Sequence, residues 1–203
     1  MSSNYTTWAS RVAEAMVESW NTIQGKDATR NQVKITLKPV GDIADETMVK
    51  LKDRVGGIFR CPVEGEVGFN DLAQAYDPER KQYDASKLLA FLGKAKREER
   101  VVGIADVDLY VPRLNFVFGE ADIGSGTAIV SLCRLKQEYY GLDPDEALFL
   151  ERATKEVVHE LGHTFGLGHC PNSNCVMHFS NSLADTDVKE THFCDKCRPK
   201  IVL

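Results

Sequence analysis

Residues 159–169 read HELGHTFGLGH, and no other stretch constrains the chain as much. His159 and His163 are four residues apart. On an α-helix they project from one face, about a turn or roughly 5–6 Å apart along the axis, close enough to share a metal ion. Glu160 points to a different side of the helix. It is out of line as a third ligand and free to act as a general base. His169 is the demanding residue, because on an unbroken helix it would lie about 15 Å from His159 along the axis. Gly166 removes the obstacle: glycine accepts a left-handed conformation, ends the helix and lets the chain fold back. Three histidines leave one position of a tetrahedral zinc open, which is the arrangement of a catalytic site. The plainer reading is a satisfied structural histidine cluster.

Four of the six cysteines come late, at Cys170, Cys175, Cys194 and Cys197. The last two form a CxxC pair, and the first two are separated by four residues, still within zinc-ligand range. Two such pairs read as a closed tetrathiolate zinc site stapling a small C-terminal lobe. A redox CxxC is the rival reading, and His178 or His192 could stand in for one thiolate. Cys61 and Cys133 lie in strand-like surroundings and are expected to be buried structural thiols.

The rest of the chain reads as a mixed α/β (α+β) domain. Residues 5–24 read as an amphipathic helix with Trp8, Val12, Ala15, Met16, Trp20 and Ile23 on one face, and 24–32 as a polar connector. A strand is expected at 33–40. A helix follows at 44–56, stopped by Gly56 and Gly57. Short extended pieces occupy 58–69, and 71–83 is irregular. A second helix is expected at 85–97, capped by Asp84 or Ser86. Strands follow at 101–111, 114–119 and 126–133, with a glycine-rich turn from Gly119 to Gly126 carrying Glu120 and Asp122. A long helix begins near 144, with Asp143 as N-cap, Pro144 at its first position and Glu146 completing a capping-box-like pattern. This divides the chain into a helical extension (1–32), a main subdomain with the histidine helix (33–169) and the cysteine lobe (170–203).

Bulk properties narrow the function classes. A chain of 203 residues can bury a core without disulfides. The net charge is −5 with scattered Lys and Arg, so nucleic acid is not an expected partner. No apolar run is long enough for a membrane span. Arg11, Glu14 and Glu18 interrupt any signal-peptide core, so a cytoplasmic location is expected. A reducing compartment favours metal ligation over disulfides. The oligomeric state is open, with a monomer as the simpler expectation.

These motifs together resemble the archaemetzincins, a metzincin-type metallopeptidase family. The resemblance rests on the extended histidine motif, then Cys170 at once, then Cys175-Val176-Met177, then Cys194 and Cys197. It rests also on residues 78–89 (PERKQYDASKLL), 105–122 (ADVDLYVPRLNFVFGEAD) and 131–135 (SLCRL), and spans roughly 33–200. It implies a metzincin fold, with a twisted mixed sheet, packed helices including the active-site helix, and a small zinc-stapled C-terminal lobe. It implies two zinc ions, one catalytic and one structural, with Met177 forming an apolar Met-turn beneath the first.

The implied activity is hydrolysis of peptide bonds in a peptide or protein substrate. A water activated by the metal attacks, and Glu160 serves as general base. The substrate is expected to lie extended along a sheet edge, by analogy the strand at 126–133. Glu120 or Asp122 could hold a substrate α-amine and make the enzyme an aminopeptidase, and His178 could line the cleft. The alternative in a different class is a zinc-stabilised binding module whose peptidase site is vestigial. A zinc-finger-like nucleic-acid module is disfavoured by the acidic charge.

Overall fold

The computed structural model describes residues 33–203, so the helix expected at 5–24 and the extension at 1–32 lie outside the described residues. Apolar residues alternate with Thr and Lys from residue 34, and this period-two pattern forms β1 (Lys34–Val40). Helix α1 (Asp45–Phe59) follows, burying Met48, Leu51, Val55 and Phe59 along one stripe. Strand β2 (Val63–Gly65) is short. Strands β3 (Tyr76–Asp77) and β4 (Gln82–Asp84) form a hairpin that leads into α2 (Ala85–Leu92). Then come β5 (Glu99–Ala105), β6 (Leu109–Tyr110), β7 (Gly119–Asp122) and β8 (Thr127–Ser131). The long helix α3 (Glu146–Thr164) and the short α4 (Leu183–Val188) complete the set.

The main sheet runs in the order β2-β1-β5-β8-β7. The first four strands are mutually parallel, and β7 is the antiparallel edge strand. A second sheet of β3, β4 and β6 sits apart from it. Alternation sorts the sheet's side chains into two cores. Val102, Ile104, Ala128 and Val130 face α1 and α3, while Ala105 and Ile129 join Leu88 and Leu89 of α2 in a separate cluster. The larger cluster also takes in Val176, Met177, Phe193 and Cys197, so the cysteine-rich segment shares the hydrophobic core of the sheet. Among the described residues no helix is long and apolar enough to cross a membrane.

Several expected boundaries move, each for a physical reason. Helix α1 continues through Gly56 and Gly57 to Phe59, because Phe59 is fully buried against Phe165 and Phe193, with ring centroids 5.9 and 5.7 Å away. That burial outweighs the cost of roughly 1 kcal/mol per helical glycine. Arg60, at φ 58°, ends the helix instead. Helix α2 stops at Leu92, not 97, because Gly93 takes a positive φ. The cap of α3 is Asp145, whose side chain accepts from Leu148 N; Asp143 and Pro144 lie outside the helix. The segment 71–83, read as irregular, contains the β3–β4 hairpin.

The region read as a strand at 114–119 is mostly not one. Arg80 donates to the carbonyls of Leu114 and Asn115, and Gln82 donates to that of Asn115, so side chains satisfy backbone groups that a ladder would otherwise pair. The strand forms later, where a turn had been expected: Glu120 and Asp122 belong to β7, paired with β8. Strand β5 likewise ends at Ala105, and the chain leaves the main sheet before β6.

Phe59→Ala should destabilise the protein by about 3–5 kcal/mol, the range for truncating a buried aromatic. Urea denaturation of the full chain measures it. A loss below about 1 kcal/mol would contradict the packing described for Phe59.

Candidate active site

Helix α3 delivers His159, Glu160 and His163, and the chain reverses at Gly166, which has φ +87°. The reversal brings the ring of His169 to within 5.4 and 4.9 Å of those of His159 and His163. One ligand atom from each of the three lies within 4.8 Å of the others. The Nδ1–H of His159 donates to the carbonyl of Val176 at 2.7 Å, and that of His163 to the carbonyl of Leu167 at 2.8 Å. A neutral imidazole has one N–H, so both Nε2 atoms carry lone pairs. Those two atoms face each other 3.0 Å apart. Two lone pairs at that distance repel unless a cation lies between them, and nitrogens on one zinc stand roughly 3.3 Å apart. The donor set therefore fits a metal.

Electrostatics keep the imidazoles neutral. Burial pushes the pKa of His159 well below the usual range, and the Lys189 ammonium and the neighbouring His163 add to the effect, because a second charge beside either would be repelled. Burial lowers His163 and His169 too. Glu160 moves the other way: burial raises its carboxyl well above the ordinary range, Glu156 and Glu120 add to this, and Lys189 opposes it. A carboxyl raised in this way suits proton transfer near neutral pH.

Gly119 opens β7 directly over Glu160. A Cβ on Gly119 would stand 2.6 Å from Glu160 Cγ and 2.7 Å from its Oε1, so only glycine allows this approach. The sheet edge beside the site is therefore β7. The expected edge, 126–133, corresponds to β8, which is covered by β7 on one side and paired with β5 on the other. Sequence periodicity could not find this, because β7 lay inside the predicted turn. A cleft of about 560 Å³ runs between β7 and α3, lined by Gly119, Glu120, the three histidines and Phe179 among others.

Below the histidines, Met177 is fully buried, with its sulfur and methyl filling the space beside Gly162. Val176 ties the floor together: its carbonyl accepts a hydrogen bond from His159 Nδ1–H, and its N–H donates to the carbonyl of His192. The cysteines converge nearby. One sulfur from each of Cys170, Cys175, Cys194 and Cys197 lies within 4.8 Å of the rest, and Cys170 Sγ stands 3.8 Å from Cys194 Sγ. Four sulfurs at about 2.3 Å from a tetrahedral zinc stand roughly 3.8 Å apart. None of the six cysteines is in a disulfide.

Residues 41–202 match the family model described as peptidase family M54. The chain belongs to peptidase family M54. Among its M54 relatives, the archaemetzincin of Pyrococcus furiosus is 41% identical over 175 residues, covering 82% of this chain and 91% of that protein. The archaemetzincin of Methanopyrus kandleri is 53% identical over 124 residues, covering 61% of this chain and 67% of that protein. Two crystal structures share the fold. The archaemetzincin of Archaeoglobus fulgidus, solved as a complex with malonate, is 37% identical with a TM-score of 0.74, covering 83% of this chain and 99% of that one. A zinc-dependent peptidase of Methanocorpusculum labreanum is 33% identical with a TM-score of 0.75, covering 82% and 98%. The M54 fold of this chain is thus an archaemetzincin fold, a mixed sheet with packed helices and a cysteine cluster near its C-terminal end.

Not every expected residue of this M54 chain reaches the cleft. Glu120 lines it, though Ser86 donates to both of its carboxylate oxygens at 3.0 Å. Asp122 lies outside the lining and caps its own turn, accepting from Gly124 N. His178 bonds the Cys170 carbonyl through Nδ1 and is absent from the lining, where Phe179 stands instead. Neither His178 nor His192 joins the cysteine quartet. Cys61 is buried, and burial raises its thiol pKa. Cys133 is half-buried, with its thiol pushed up to about 11 by burial and by Asp108 and Asp106. Two contributors escaped the sequence reading. Glu156 lines the cleft one helical turn before Glu160, a spacing visible in the sequence, and Lys189 is buried behind it. Nothing in the sequence marks Lys189, because an isolated lysine reads as solvent-exposed.

Two outcomes follow. Gly119→Ala should lower kcat at least about tenfold with metal content unchanged, because the methyl displaces the Glu160 carboxylate; peptide-cleavage kinetics and metal analysis check it. The metal-stripped protein should lose stability as pH falls below about 6.5. Unfolded histidines take up protons there, while the folded ones hold out to lower pH, so the unfolded state binds more protons and stability falls with acid. The raised Glu160 works in the opposite direction, as one group against three. Urea midpoints of chelated protein at pH 7.5 and 5.5 test the sign.

Proposed function

We propose that the chain hydrolyses peptide bonds with a catalytic zinc on His159, His163 and His169, Glu160 as general base, and a second, structural zinc on Cys170, Cys175, Cys194 and Cys197. The observation that carries the reading is the convergence of the histidine lone pairs, with both Nδ1 protons locked on carbonyls, beside a buried carboxylate at a sheet edge. When bound, the zinc supplies Lewis acidity that activates a water and polarises the scissile carbonyl. Glu160 takes the proton of the attacking water and delivers it to the leaving amine. The substrate lies extended along the outer edge of β7, where backbone groups have no strand partner among the described residues. Met177 is the apolar floor of the centre. The second zinc staples 170–203 as a lobe against the subdomain at 33–169. Cysteines that hold a metal suit a reducing, cytoplasmic setting.

Glu120 is the best-placed candidate to receive a substrate α-amine, because it lies on β7 and lines the cleft. This is the aminopeptidase form of the proposal. A catalytically inactive zinc-stabilised binding module is the other class, and the pairing of an open ligand set with a raised, buried glutamate favours the enzyme.

Glu160→Gln should keep two zinc ions per chain and lose cleavage of a mixed peptide library by about 10³-fold or more. Full retained activity would remove Glu160 from its role, and one zinc per wild-type chain would remove one of the two sites. Glu120→Gln should raise KM for free-amine peptides several-fold more than for N-acetylated ones; equal effects would end the aminopeptidase form.

A further inference from the structure

Helix α4 follows the Met177 floor and the cleft-wall residues Phe179 to Asn181, and it is bound to α3 by successive polar ties. Arg152 grips Asp187 with two bonds, of 2.6 and 2.7 Å. Lys155 Nζ donates to the carbonyl of Asp187 at 3.3 Å. Thr186 Oγ1 donates to Glu156 Oε1 at 2.9 Å. Lys189, just past the end of α4, places Nζ 3.0 Å from the same Glu156 oxygen, with its side chain wholly out of solvent. That contact lies outside hydrogen-bond geometry, so the ammonium has ionic compensation but no hydrogen-bond acceptor among the described residues. Glu156 is almost fully buried, yet it lines the catalytic cleft one turn from His159 and Glu160. Ser180 Oγ, in the same lining, is buried without a partner among the described residues.

A buried ion pair is a poor device for stability, since a well-packed apolar pair of the same volume does as well or better. Its placement at the cleft points to another use. We propose that Glu156 and Lys189 are specificity-determining residues: their matched charges form the electrically neutral end of the subsite that receives a substrate side chain flanking the scissile bond. The inference rests on the peptidase reading above. With both charges present, a neutral side chain meets no net field. A charged one must enter a desolvated recess where Glu156 repels an anion at contact and Lys189 repels a cation from behind. Deleting either member leaves an uncompensated buried charge, and the subsite should then select for the opposite sign.

The test uses the full-length zinc-loaded protein and peptides varied among Gln, Met, Lys and Glu, side chains of similar length, on each side of the cleaved bond. At one of these two positions the wild type should favour Gln and Met over both Lys and Glu by about tenfold in kcat/KM. At that position Lys189→Met should shift the Lys-to-Glu ratio of kcat/KM toward Lys by about tenfold, and Glu156→Gln should shift it by a like factor toward Glu. The double variant E156Q/K189M should return the ratio to near the wild-type value. Shifts of the same sign in both single variants, an unchanged ratio, or a wild-type preference for a charged residue at both positions would overturn the proposal. Should a single variant fail to fold, Thr186→Val takes its place. It strips a donor from Glu156 while keeping both charges, and should move the ratio toward Lys by about threefold; no shift overturns the proposal. A zinc-loaded wild type that cleaves none of the peptides would instead defeat the peptidase reading itself.

Discussion

The hydrogen bond from His159 Nδ1 to the Val176 carbonyl is the contact on which the site depends. His159 is buried on α3, where its ring N–H must find an acceptor or leave a polar group stranded. Val176 supplies the acceptor, and its own N–H goes to His192. One residue thus fixes the tautomer of a proposed zinc ligand, precedes Met177 beneath it and ties the segment that leads to Cys194 and Cys197 to α3. The two metal groups are distinct chemically but share this backbone.

The second constraint is the approach of β7 to Glu160. A sheet edge can present its backbone to an extended peptide only if nothing intervenes between the strand and the catalytic groups. Gly119 meets that condition by having no side chain where one would strike the carboxylate. Burial raises the Glu160 pKa, and the close approach of β7 is part of that burial. The field around Glu160 is not set by α3 alone, because Lys189 arrives from the far end of α4 and Glu120 from β7.

Much of this was legible before any coordinates. Patterns of period two and of period 3.6 located β1, β5, β8, α1 and α3, because long, strongly patterned segments bury the same residues in almost any packing. Spacing picked out the histidine and cysteine groups that the structure brings together, because metal coordination requires particular donors within a few ångströms. The edge strand was not legible. Gly119 to Asp122 has the composition of a turn, and it is a strand only because β8 offers it a ladder. Phe59 was hidden behind two glycines, and only its partners Phe165 and Phe193 hold the helix together that far.

The sequence by itself determined the chemistry: which atoms can bind zinc, where the helix must break at Gly166, and which carboxylate is free of ligation. These are local properties, fixed by residue type and helical spacing. Tertiary structure alone decided which strand borders the cleft, that His178 and Asp122 face away from it, and that Glu156 meets Lys189 behind it. Those outcomes depend on contacts between residues far apart in the chain. Whether a lysine is solvated or sealed against a glutamate is settled by what packs over it, and no local pattern carries that information.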